Sequence, residues 1–177
     1  MSGRVSPVPA QPESAEAPLE DLVALAGRVG EELGSRGLTL ATAESCTGGL
    51  VGHVLTEIPG SSAWYLGGAV VYSDSLKRRL AGVPADLLAT HGAVSGEVAH
   101  ALAAGIRQRL ETDIGISVTG IAGPAGATPT KPVGLVFVGV ADGDGVVVVR
   151  HLWDGDRSAN KRASTAAVLR ALLERVG

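Results

Sequence analysis

The chain has 177 residues, enough for one domain with a sizeable core, and 15 basic against 18 acidic side chains leave a net charge of −3. No basic excess marks a nucleic-acid binder, and with aromatics at 3% there are few rings on which bases could stack. The single cysteine, Cys46, cannot form an internal disulfide, which fits a reducing compartment, and neither it nor the four scattered histidines show metal-ligand spacing.

Residues 1–18 are rich in Pro, Ser, Ala and Glu and lack the apolar run of a signal peptide, so they read as a disordered extension. Residues 19–177 read as one folded domain. Leu22, Leu25, Ala26, Val29 and Leu33 recur at helical spacing, and Gly37 supplies the stop. A short buried strand is expected over 38–43, then a tight polar turn, then a helix reaching about residue 58. Pro59 and Gly60 break the chain, and a second strand is expected over 67–72. Ser73 can cap a short helix carrying Lys77, a further short helix follows Pro84, and Ser95 can cap a helix with Val98, Leu102, Ile106 and Leu110 on its inner face. A third buried strand is expected over 114–119, and strands over 135–141 and 146–153 flank a short Gly-rich spacer that reads as a hairpin. A last helix is expected over 158–176. Strands alternating with helices give a three-layer α/β/α sandwich, and the hairpin makes its mostly parallel sheet a mixed one. No stretch is long and charge-free enough to span a membrane, so a cytoplasmic protein is expected.

Ligands of such folds bind beyond the carboxyl ends of the strands. Three polar or Gly-rich loops leave strand ends here, over 44–49, 72–77 and 119–131. They propose one site built from Ser45, Tyr72, Lys77, Thr119 and the backbone of 120–126. Ser45 lies between a strand and a Gly-Gly helix start, where backbone N–H groups stabilise an oxyanion or a phosphate. Ser and Thr are also the leading N-cap residues, so a capping role for Ser45 and Thr47 stands beside the catalytic one. Cys46 is a rival nucleophile, or else a small buried packing residue, and no histidine lies close in sequence to activate it. For Ser45 the candidate base is Lys77, since a desolvated lysine can take a proton from a hydroxyl. Tyr72 could orient Lys77 or relay a proton. The ordinary alternatives are a solvated helix lysine beside Arg78 and Arg79 and a half-buried strand-end tyrosine. The 119–134 loop is too long for a mere connector and lacks both the P-loop ending and the dinucleotide fingerprint. Lys131 and Arg157 are candidate phosphate contacts.

These residues resemble the CinA C-terminal domain family, the nicotinamide-mononucleotide deamidases. The resemblance rests on Ala43-Glu44-Ser45-Cys46-Thr47-Gly48-Gly49, Pro59-Gly60-Ser61-Ser62, the Tyr72-to-Lys77 segment, Val94-Ser95 with Val98-Ala99, and Thr119-Gly120-Ile121-Ala122-Gly123-Pro124 continuing to Gly134. It implies hydrolysis of nicotinamide mononucleotide to nicotinic acid mononucleotide and ammonia, with no metal and no cofactor. It implies Ser45 as nucleophile with Lys77 and Tyr72 activating it, and Glu44, Thr47, Gly48, Thr119, Gly120, Gly123 and Arg157 as substrate contacts. A homodimer or higher homo-oligomer is expected, with no nucleic acid or membrane as partner, and a stand-alone deamidase without the family's larger N-terminal domain. The chain departs from the family pattern at Asp74, where asparagine is usual, and at Ala125 and Ala127, where glycines are. The alternative, from a different class, is a non-catalytic nucleotide-binding or competence-associated interaction module.

Overall fold

The structure, a computed structural model, describes residues 4–5 and 14–177. Its elements in chain order are β1 (Arg4–Val5), α1 (Leu19–Arg36), β2 (Leu40–Glu44), α2 (Leu50–Thr56), β3 (Tyr65–Val70), α3 (Asp74–Ala81), α4 (Ala85–His91), α5 (Gly96–Arg109), β4 (Ile114–Gly120), β5 (Leu135–Asp142), β6 (Gly145–Leu152) and α6 (Arg157–Val176). The six strands form one sheet in the order β1-β6-β5-β4-β2-β3. β2 pairs in parallel with both β3 and β4, and β1 pairs in parallel with β6. The hairpin expected from the 142–145 spacer is present and makes β5–β6 antiparallel; β4 and β5, joined by the 121–134 loop, are antiparallel as well.

Side-chain alternation assigns the layers. Leu40 on β2, Ile114, Ile116 and Val118 on β4, and Val136, Val138 and Val140 on β5 pack toward α1, α2 and α6. Ala41 and Ala43, one step out of phase with Leu40, pack with Val98, Leu102 and Ile106 of α5 and with Ala81 of α3. The alternate β4 positions toward α5 are small or hydroxylated. Ser117 donates its hydroxyl to the Ala99 carbonyl at 2.7 Å, and a Cβ on Gly115 would stand 2.3 Å from the Ala103 carbonyl oxygen. Only glycine lets α5 lie that close to the sheet.

Several boundaries differ from the sequence expectation: β2 covers Leu40–Glu44 rather than 38–43, and α2 ends at Thr56 rather than about residue 58. β3 covers Tyr65–Val70 rather than 67–72. β2, its only neighbour among the described residues, ends at Glu44, which pairs with Val70, so no ladder is left for Tyr72 and the chain is released toward the site. Of the extension expected over 1–18, residues 1–3 and 6–13 lie outside the described residues. Arg4–Val5 pair with β6, and Ala15 and Ala17 are buried against the main core. Ala17 is also held by Arg162, which donates to its carbonyl at 3.1 Å. Among the described residues no helix is long and apolar enough to cross a membrane.

Candidate active site

The β2–α2 turn is organised by a carboxylate. Glu44, 3% exposed, accepts from the Thr47 hydroxyl at 2.7 Å and from the backbone amides of Gly49, Val51 and Gly52 at 2.9, 3.1 and 2.8 Å. These amides are the unpaired donors that begin α2, where the helix dipole also favours an anion. The helix end is therefore satisfied from within and is not free to hold an oxyanion, a correction to the sequence expectation. Neither Ser45 nor Thr47 caps it. Gly48 and Gly49 take φ of 65° and 99°, which lets the chain reverse tightly enough for the carboxylate to meet its own helix. Glu44→Gln puts an amide group against backbone N–H donors. It is expected to cost about 2–3 kcal/mol, seen as a melting point roughly 5–10 °C lower.

With the helix end closed, the turn presents Ser45 and Cys46 to a cavity of about 240 Å³. Tyr72, Asp74 and Lys77 face it from the β3–α3 connection and α3, the 119–126 loop closes a third side, and Arg157 stands at the start of α6. The structure thus brings together Ser45, Tyr72, Lys77, Thr119, Gly120, Gly123 and Arg157 of the expected site. Glu44, Thr47 and Gly48 do not line the cavity; the first two are buried behind the turn. Lys131 does not reach it either, its ammonium being held by the His91 carbonyl at 2.5 Å.

Lys77 is 1% exposed, the largest fully buried side chain among the described residues. α3 starts at Ser73, whose hydroxyl accepts from the Leu76 amide as the sequence suggested, and this sets Lys77 on the inner face. Its ammonium donates to the Tyr72 carbonyl at 3.2 Å and lies 3.6 Å from an Asp74 carboxylate oxygen. Burial pushes Lys77 below its ordinary value, and Asp74 opposes that push without cancelling it. The neighbouring thiol goes the other way, since burial pushes Cys46 up to about 12 and leaves almost no thiolate at neutral pH.

Tyr72 touches Lys77 through its carbonyl, not its phenol. The phenol oxygen instead accepts from Arg157 at 3.2 Å, and the same guanidinium donates to the Gly123 carbonyl at 2.8 Å. Arg157 thus straps the tyrosine to the 119–126 loop. A second cavity of about 570 Å³ adjoins the first and shares Ala122, Gly123 and Arg157 with it. Thr119 lines the first cavity, but its hydroxyl proton is committed to the Ala93 carbonyl at 2.7 Å.

Sequence reasoning missed Ala93 and Val94, which line the cavity from the loop before α5, and Asn160 behind it. Asn160, fully buried on α6, donates to the carbonyls of Ala122 and Gly155 at 3.1 and 2.9 Å and accepts from the Gly155 amide at 3.1 Å. An amide side chain in register with the buried positions Ala163, Ala167 and Val168 of α6 was the available signal.

Against known proteins, the description "CinA C-terminal domain" fits residues 22–176. The chain belongs to the CinA C-terminal domain family. A CinA-like protein of Gemmatimonas aurantiaca is 55% identical over 139 residues, 78% of this chain and 32% of the relative. A CinA-like protein of Synechococcus elongatus is 53% identical over 133 residues, 75% of this chain and again 32% of the relative. The chain spans about a third of the length of the curated relatives it matches. Among solved structures, the competence/damage inducible protein CihA from Agrobacterium tumefaciens superposes with a TM-score of 0.84 at 39% identity, covering 87% of this chain and 94% of that one. A CinA superfamily protein from Klebsiella pneumoniae gives 0.85 at 34% identity, with 88% and 97% covered. This CinA domain therefore shares its α/β fold with those structures over nearly its whole described length.

Proposed function

We propose that the domain is a serine amidohydrolase that converts nicotinamide mononucleotide to nicotinic acid mononucleotide and ammonia in the cytoplasm. The observation that carries the reading is a buried lysine, driven toward its neutral form, in the same cavity as a hydroxyl on a rigid turn. Lys77 takes the Ser45 proton as the hydroxyl oxygen bonds to the carboxamide carbon. The carbon–nitrogen bond then breaks, and the amine leaves as ammonia after receiving that proton. A water molecule, deprotonated by Lys77, attacks the resulting ester and releases the acid and the serine. The Thr47 amide, with no acceptor among the described residues, and the Cys46 amide, which meets only its own side-chain sulfur, are the donors left on the turn for the oxyanion. Arg157 is the group for the substrate phosphate, because the contacts it makes to a neutral phenol and a carbonyl are readily exchanged for a charged, bidentate one.

Ammonia release from nicotinamide mononucleotide tests the reading. Among the described residues no three His, Cys, Asp or Glu side chains gather as metal ligands do. Turnover is accordingly expected to survive dialysis against a strong chelator. Loss on dialysis with recovery on adding zinc or magnesium would show that a metal takes part. One observation favours a non-catalytic binding module instead: Asp74, 3.6 Å from Lys77, supports the charged lysine. A purified domain that binds the nucleotide without releasing ammonia would establish that second reading.

A further inference from the structure

We infer that the surface cavity between the C-terminal ends of α3 and α5 is a binding site for a small polyphosphate anion, such as the diphosphate of a nucleotide. The cavity measures about 520 Å³ and is lined by Arg78, Arg79 and Arg109 together with Ser75, Gly82 and Val83. Lys77 faces the opposite side of α3, so this cavity is separate from the one that holds Ser45.

The charge balance points to an anion. Among the described residues, no carboxylate pairs with any of the three guanidiniums, and none of the three donates a hydrogen bond within the protein. Arg28, Arg150 and Arg170 likewise show no partner among the described residues, so what sets Arg78, Arg79 and Arg109 apart is that they line one cavity. Arg78 and Arg79 fall in the last turn of α3, and Arg109 ends α5, so each taken alone could simply complement a helix dipole. The dipoles do not account for the convergence. Two helix ends carry about half a negative charge each, against three full positive charges around one cavity, so roughly two positive charges remain unbalanced. That surplus stands out in a chain whose net charge is −3.

The backbone favours the arrangement. Gly82 caps α3 with φ of 66°, and a Cβ there would come within 3.3 Å of Nε and Nη2 of Arg109. The absent side chain leaves room for that guanidinium beside the turn, where it lines the cavity. Planar forks of this kind match the oxygens of a phosphate, and three of them match a diphosphate better than a single phosphate. The volume lies in the range of small-molecule sites. The inference is independent of the proposed deamidase activity.

The test is calorimetric titration of the protein with inorganic pyrophosphate in about 0.1 M salt, where weak surface attraction is screened. Wild type is expected to bind saturably, with the tighter site at the Arg78–Arg79–Arg109 cavity. Arg78→Gln, Arg79→Gln and Arg109→Gln should each weaken binding about tenfold, the worth of a charge-assisted hydrogen bond. Arg170→Gln, which removes a charge at a different cavity, should bind as wild type does. All three cavity arginines are exposed, and melting curves without ligand confirm that each variant is folded. The inference is overturned if pyrophosphate does not bind, if the three substitutions leave binding unchanged, or if Arg157→Ala abolishes it. Tighter binding of a short single-stranded oligonucleotide than of pyrophosphate would also overturn it, by making the patch a nucleic-acid surface.

Discussion

Replacing Ser45 by alanine is expected to lower ammonia release from nicotinamide mononucleotide by at least about 10³-fold, while Cys46→Ala keeps activity within a small factor of wild type. The two residues are adjacent on one turn and line one cavity, so position alone does not choose between them. Protonation chooses. The Cys46 thiol, 6% exposed and pushed up to about 12, is held almost entirely as the neutral thiol at pH 7, and no histidine lines the cavity to take its proton. The Ser45 hydroxyl makes no side-chain hydrogen bond among the described residues, so its oxygen is free to attack once a base removes its proton. Cys46 also packs in the main apolar cluster, so Cys46→Ala should lower stability by about 1 kcal/mol without touching the chemistry. An active Ser45→Ala beside an inactive Cys46→Ala would make the thiol the nucleophile and overturn the proposal.

Most of what built this site was legible as local pattern. Turn residues and a helix cap forecast where Ser45 and Lys77 emerge, and the parallel pairing of β2 with β3 and β4 delivers both to one sheet edge. The errors concern partners that only the folded chain supplies. Glu44 reads as a polar residue beside a nucleophile and hence as a substrate contact. In the fold it is the last residue of β2 and points to the same face as Leu40 and Thr42, which is the α2 face. A strand's period of two therefore turns it away from the cavity into which Ser45 opens. Tyr72 and Arg157 are separated by 85 positions, and nothing local signals that a phenol will meet that guanidinium. The same holds for Thr119, whose hydroxyl reads as a substrate donor until Ala93 is seen to accept its proton.

This partition of roles has a consequence for how the site keeps its shape. Glu44 fixes the turn, Asn160 fixes the loop at Ala122, and Thr119 ties the sheet to the segment before α5. All three are buried and none needs substrate for its hydrogen bonds, so the cavity walls are set before anything binds. The Arg157 strap is the exception. It is exposed and makes two long-range contacts that a phosphate can replace, which makes it the part of the wall expected to rearrange.

Lys77→Ala is expected to lower turnover by about 10²–10⁴-fold at every pH, the contribution of a positioned general base. Asp74→Asn should do the opposite at neutral pH. Burial lowers the Lys77 value and the Asp74 carboxylate, 3.6 Å away, raises it. Removing the carboxylate lets the value fall further, so a larger fraction of Lys77 is neutral at pH 7. The rising limb of the kcat/KM profile then moves to lower pH, while the alkaline plateau stays equal or drops slightly, because a base of lower pKa accepts a proton less strongly. The two profiles therefore cross or merge at high pH, a pattern that loss of structure would not produce. A profile of Asp74→Asn that overlays wild type would show that Asp74 has no part in tuning, and near-normal turnover in Lys77→Ala would remove the lysine from the mechanism. Stability provides an independent reading of the same charge. The folded-state value of Lys77 lies below the ordinary 10.5, so between the two values the unfolded chain binds more protons than the folded one. Stability must then rise with pH across that window, and the burial penalty is present in full below it. Lys77→Met keeps the packing but has no proton to lose. Relative to it, the wild type should gain stability as pH climbs from neutral to alkaline, which chemical denaturation at a series of pH values measures directly. A difference between the two proteins that does not change with pH would mean that Lys77 carries no depressed value, and the Ser45–Lys77 pair would lose its base.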